Sequence, residues 1–108
     1  MPNWPNYEDA VAFSPEGPGV QLLHIDDKMK VLLVGLEPGQ SLPPHEGPGA
    51  SFSFLSGSGT MVIGDEEIEV FAGSLAVVPQ GANRSIRTDG ERLVFMGTLS
   101  DPNATHHK

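Results

Sequence analysis

Two side chains stand out as candidates for chemistry, a histidine and an arginine on separate stretches of the chain. His45 lies in the segment Pro-Pro-His-Glu-Gly-Pro-Gly, and an imidazole can act as an acid, a base or a metal ligand. Arg84 lies in the segment Gly-Ala-Asn-Arg-Ser, and its guanidinium is a permanently charged fork that pairs with carboxylates. We therefore consider acid–base chemistry at His45 and anion binding at Arg84.

Several other kinds of site do not fit the sequence. The chain has no cysteine, which excludes thiol nucleophiles, disulfide frameworks and zinc ribbons. It has no Gly-x-Ser-x-Gly motif of the serine hydrolases. A phosphate-binding loop requires a helix after its glycines, and no helical pattern follows the Gly57-Ser58-Gly59 segment. His45 and Arg84 thus remain as the candidates.

The length and charge restrict the class of protein and its partners. A chain of 108 residues is expected to form a single domain. Fourteen acidic and six basic residues give a formal net charge of −8, which argues against nucleic acid and anionic membranes as partners. The N-terminal segment has neither a basic region nor an apolar stretch, so we expect a cytoplasmic protein.

The hydrophobic pattern predicts β-strands throughout. Short β-branched runs alternate with Gly, Pro and Asp, and no long segment has a helical period. We place nine short strands between Val20 and Leu99, with turns at Ser56–Gly59 and Asp89–Gly90. This number of strands predicts an all-β jelly-roll barrel over residues 20–100.

The two ends of the chain lack the strand pattern of the barrel. Residues 1–19 contain four prolines and are expected to form an irregular arm, while residues 101–108 are expected to form a polar tail. The arm carries Trp4, Tyr7 and Phe13, which a small domain can hardly bury alone. We therefore expect the arm to dock, on a second copy of the chain, and the protein to be a homodimer.

Two segments carry a characteristic spacing of Gly, Pro and His. Gly39 is followed after five residues by His45, and Gly73 is followed after five residues by the Pro-x-Gly at 79–81. This spacing resembles the two motifs of the cupin superfamily, over about residues 31–99. The resemblance implies a single-domain double-stranded β-helix.

The resemblance also implies a metal centre, and here the sequence departs from the pattern. Metal-dependent cupins bind iron, manganese, nickel or zinc with His, His, Glu and His. His45 matches the first position, but Gly47, Ala50 (or Ser51) and Arg84 stand at the others. A metal usually needs three or more protein ligands, and a guanidinium repels a cation. We expect no cofactor, with a divalent transition metal as the alternative.

A binding site follows from the resemblance together with the alternation of side chains along a strand. Phe52 and Phe54 are large and apolar between small serines, so they should face the interior. The resemblance places Arg84 beside His45 at the mouth of the barrel. We expect a ligand-binding site made of His45, Arg84, Phe52 and Phe54.

The predicted function is small-molecule binding, with an organic anion as the ligand of Arg84. A carboxylate of the same chain or of a second copy is the alternative partner of that side chain. One alternative function is an enzyme, either a metal-dependent oxygenase with an atypical site or a metal-free isomerase or lyase that uses His45. Another is a structural dimer whose barrel is simply filled.

Overall fold

The computed structural model describes residues 3–100, which form a short 3₁₀ turn and seven β-strands. The turn spans Tyr7–Asp9. The strands are β1 (Gly19–Ile25), β2 (Met29–Leu36), β3 (Ser41–His45), β4 (Ala50–Ile63), β5 (Glu66–Phe71), β6 (Leu75–Val78) and β7 (Arg84–Ser100). No helix in this part of the chain is long and apolar enough to cross a membrane.

The sheet is antiparallel and folds over on itself because its two longest strands bend. The strand order is β1-β2-β7-β4-β5, with β3 also paired to β7 and β6 also paired to β4. Residues 50–57 of β4 pair with residues 93–99 of β7, and residues 59–63 pair with residues 84–88. The two halves of these strands form two layers, which confirms the all-β jelly roll. The sheet does not close, since β1 and β5 are its ends.

The bends correct two of the turns expected from the sequence. Ser56–Gly59 and Asp89–Gly90 do not end strands, because β4 and β7 run through them. The register of β4 shifts between Phe54 and Ser56 and again between Gly57 and Gly59. Such bulges bend a strand without ending it. The nine predicted segments are therefore present, but four of them join to form two continuous strands.

The main core fills the space between the two layers. Phe52 and Phe54 face it, as the strand alternation predicted, with 8% and 2% of their surface exposed. Both pack on Phe95, with ring centroids 5.9 Å and 5.4 Å apart. The other buried members are Val34, Leu36, Ala50, Met61, Val70, Ala76, Val78, Ile86 and Leu93.

The N-terminal arm packs on the outer face of its own sheet. Its side chains form a second apolar cluster with Leu33 and Val94. Gly19 and Gly35 are register partners in β1 and β2, and a Cβ on either would overlap the carbonyl oxygen of Ala12. This pair of glycines therefore provides the groove in which the arm crosses the sheet.

Polar contacts hold the arm in place. The Arg92 guanidinium lies 4.1 Å from the centroid of the Phe13 ring and also bonds to Glu37. The Gln40 side chain donates to the carbonyl of Ser14 at 2.7 Å. The tail predicted for residues 101–108 lies outside the described residues.

Candidate functional site

An open, largely apolar cavity of about 100 Å³ lies between the two layers. Its polar lining comes from His45, Arg84 and Ser85. The rest of its wall is formed by Leu32, Val34, Leu42, Pro48, Phe52, Ile86, Phe95, Gly97 and Leu99. Apolar walls with a few polar groups are typical of small-molecule sites.

The pairing of β3 with β7 brings His45 and Arg84 together. These two residues are direct register partners. Side chains opposite each other in an antiparallel pair share a face, with Cβ atoms about 5 Å apart. Phe52 lines the same cavity, whereas Phe54 lies in the core against Phe95. Three of the four residues expected at the site therefore lie on one cavity.

The Arg84 side chain is buried, with 4% of its surface exposed, and its partners are main-chain carbonyls. Nη1 donates to the Pro48 carbonyl at 2.6 Å. Nη2 donates to the carbonyls of Gly47 at 3.0 Å and Ala82 at 3.1 Å, with that of Pro79 at 3.5 Å. Nε contacts the Ala82 carbonyl at 3.3 Å. None of the ion pairs among residues 3–100 includes Arg84.

These contacts attach a loop at the cavity rim to the rest of the protein. The guanidinium joins residues 47–48 to residues 79–82. Two main-chain hydrogen bonds also hold the loop in place. Gly81 N–H donates to the Gly47 carbonyl at 2.9 Å, and Ser100 N–H donates to the Gly49 carbonyl at 2.8 Å. We call residues 47–49 the rim loop.

The positive charge of Arg84 stays without an opposite charge in this arrangement. Burial lowers the pKa of Arg84 from its ordinary value, since the charged form loses hydration. Arginine nevertheless keeps its proton in proteins. Carbonyl dipoles satisfy its hydrogen bonds but carry no net charge. The cavity therefore has a buried cation at its rim.

His45 is exposed at the same rim and is oriented by its own strand. Its Nδ1 lies 3.0 Å from the carbonyl oxygen of Pro43. Because a carbonyl can only accept, Nδ1 carries the hydrogen of this bond. In the neutral imidazole, Nε2 then has a free lone pair.

The four positions where metal ligands are expected in a cupin do not fit a metal here. A Cβ on Gly47 would lie 3.6 Å from Cζ of Arg84, so a side chain there would meet the guanidinium. Ala50 is buried in the core. No group of three or more His, Asp or Glu that could bind an ion is found between residues 3 and 100. Of the side chains at these four positions, only the imidazole of His45 is an ordinary metal ligand.

Sequence reasoning missed two features of the site. It gave Arg84 a ligand or a carboxylate as partner and overlooked main-chain carbonyls, which every residue has. The Gly-Pro-Gly of the rim loop was a usable signal, because proline and glycine often leave carbonyls without strand partners. It also missed that β2 forms part of the cavity wall. Leu32 and Val34, two residues apart on that strand, share one face and line the cavity.

Comparisons with known proteins agree with this architecture. The family model described as "Cupin domain" matches residues 32–98. No curated protein matches the chain in sequence. Three solved structures illustrate the structural likeness.

A Klebsiella pneumoniae protein with a double-stranded β-helix domain aligns with a TM-score of 0.86 at 19% identity, over 96% of this chain and 94% of that one. A Streptococcus pyogenes protein of unknown function gives 0.83 at 21%, over 96% and 91%. A predicted oxalate decarboxylase from Thermotoga maritima gives 0.72 at 19%, over 77% and 79%. At these identities the likeness shows the fold alone, and the family match covers most of the strands described above. The chain belongs to the cupin family.

Proposed function

We propose that this protein binds a small organic anion in the cavity between its two layers. The observation that carries the proposal is the buried, charged Arg84 at the rim of a largely apolar cavity, without a carboxylate partner within residues 3–100. An uncompensated cation in a region of low dielectric attracts an anion more strongly than it would in water. The ligand supplies the negative charge that the protein lacks there.

The hydrogen-bond count leaves room for such a ligand. A guanidinium has five N–H groups, two of them on each Nη. Among residues 3–100, Nη1 makes one contact, to the Pro48 carbonyl, which leaves its second hydrogen for a ligand oxygen. Phe52 and Leu99 line the cavity and can contact the apolar part of the ligand. A cavity of about 150 Å³ can hold benzene, so about 100 Å³ holds roughly four heavy atoms, and the open mouth of the cavity leaves room for about three more.

The test compares an acid with its uncharged analogue. Butanoate and butanamide are titrated into ¹⁵N-labelled protein, and the amide shifts of Ser85 and Gly97, which line the cavity, report binding. We expect butanoate to bind at least about tenfold more tightly, because butanamide lacks the charge that complements Arg84. Equal binding of the two, or no shift with either, would contradict the proposal.

We also propose that the protein is cytoplasmic and that two copies of it pair through β1. β1 is an end strand of the sheet, and its edge can pair with the same edge of a second copy about a twofold axis. Val20, Leu22 and Ile25 are about half exposed beside this edge. These side chains are the apolar contact of the proposed homodimer.

Sedimentation of two matched variants tests this pairing. Leu22→Glu places a charge on the proposed interface, whereas Leu75→Glu places one on another exposed leucine, on β6. At tens of micromolar we expect the unaltered protein and Leu75→Glu to sediment as dimers and Leu22→Glu as a monomer. A monomeric unaltered protein, or a dimeric Leu22→Glu, would rule out pairing through β1.

A further inference from the structure

Two residues that line the same cavity carry a hydrogen-bond donor and an acceptor. The free hydrogen on Nη1 of Arg84 is the donor, and it belongs to the charged group. The acceptor is Nε2 of His45, because Nδ1 of the same ring donates to the Pro43 carbonyl. The two residues are direct partners across β3 and β7. A ligand that contacts one of them therefore lies within reach of the other.

We infer that the ligand is a hydroxy acid, whose carboxylate accepts from Arg84 and whose hydroxyl donates to His45. This inference rests on the proposed function and narrows its ligand class. A simple carboxylate satisfies Arg84 but offers Nε2 of a neutral imidazole no hydrogen. A hydroxyl one or two carbons from the carboxylate supplies that hydrogen, and the remaining carbons fill the apolar wall of Phe52 and Leu99.

The geometry also makes the site chiral. Arg84 holds the carboxylate, His45 holds the hydroxyl, and the apolar wall holds the alkyl chain, so three different groups on one carbon have three different contacts. The two enantiomers of a 2-hydroxy acid cannot both make all three. We expect one enantiomer to bind more tightly than the other.

The experiment uses butanoate and both enantiomers of 2-hydroxybutanoate at pH 8, where histidine side chains are ordinarily neutral. Affinities are measured by calorimetry for the unaltered protein, His45→Leu, His45→Gln and the control His24→Leu. His24 is a suitable control because it bonds to Asp26 and does not line the cavity. For the unaltered protein we expect one enantiomer to bind about three- to tenfold more tightly than butanoate, the range of one net hydrogen bond.

The variants show whether that advantage belongs to His45. His45→Leu should remove it, His45→Gln should restore part of it through the amide oxygen, and His24→Leu should keep it in full. If butanoate binds and neither enantiomer binds more tightly, the hydroxy-acid inference is overturned and anion binding stands. An advantage that persists in His45→Leu also overturns it. If none of the acids binds, the proposed function fails as well.

Discussion

Replacing Arg84 with methionine is expected to lower the free energy of unfolding by about 3 kcal/mol, because part-buried carbonyl oxygens lose their donor. The acceptors that lose most belong to Pro48 and Ala82, since the Gly47 carbonyl keeps its bond from the Gly81 N–H. Methionine has a similar length and is apolar, so the loss comes from hydrogen bonds more than from volume. Urea unfolding followed by circular dichroism measures the change.

The matched control is Arg87→Met, on the same strand. Arg87 is about half exposed and pairs with Glu67 at 3.1 Å, so its loss should cost less than about 1 kcal/mol. Hydrogen exchange gives a second readout, since Gly81 N–H bonds to the rim loop. This amide should exchange faster in Arg84→Met but not in Arg87→Met. Equal stability of the two variants would show that the carbonyl contacts of Arg84 contribute little.

Gly57→Ala is expected to lower the free energy of unfolding by about 4 kcal/mol or more. Gly57 has φ +85° at the bend of β4, where an alanine is strained. A Cβ there would also overlap the carbonyl oxygen of Arg92 in the paired strand. The methyl group therefore cannot be accommodated unless the paired strands separate at the bend.

Gly73→Ala separates the backbone strain from the overlap with the paired strand. Gly73 has φ +97°, but nothing lies within 4 Å of the position its Cβ would take. Its substitution should cost about 1–2 kcal/mol, for backbone strain alone. Urea unfolding of both variants gives the comparison. If Gly57→Ala were no less stable than Gly73→Ala, the close contact at the bend would not matter.

Arg84→Met is not a clean test of anion binding. Because the same side chain holds the rim loop, loss of binding in Arg84→Met would mix a missing charge with a displaced loop. The comparison of butanoate with butanamide avoids this difficulty, as it changes the ligand and leaves the protein intact. The His45 variants avoid it too, since the ring is exposed and its hydrogen bond is to the nearby Pro43.

Local sequence was sufficient to predict the strands and their faces. The alternation of phenylalanine and serine in β4 predicted that Phe52 and Phe54 are buried, and the resemblance of the Gly, Pro and His spacing to the cupin motifs implied the fold. These features depend on neighbours along the chain, since strand alternation and turn chemistry are local. The strand ends at residues 56–59 were misjudged because a glycine-rich bulge and a glycine-rich turn have the same composition.

Only the tertiary structure decided which groups meet at the site. The register between β3 and β7 places His45 opposite Arg84, although 38 residues separate them along the chain. The burial of Arg84 by carbonyls of the rim loop, and the docking of the arm over Gly19 and Gly35, likewise depend on distant segments. Main-chain carbonyls are present at every residue and so leave no mark in the sequence. Their position in space is set by the packed sheet, which is why the partners of Arg84 could not be read from residue types.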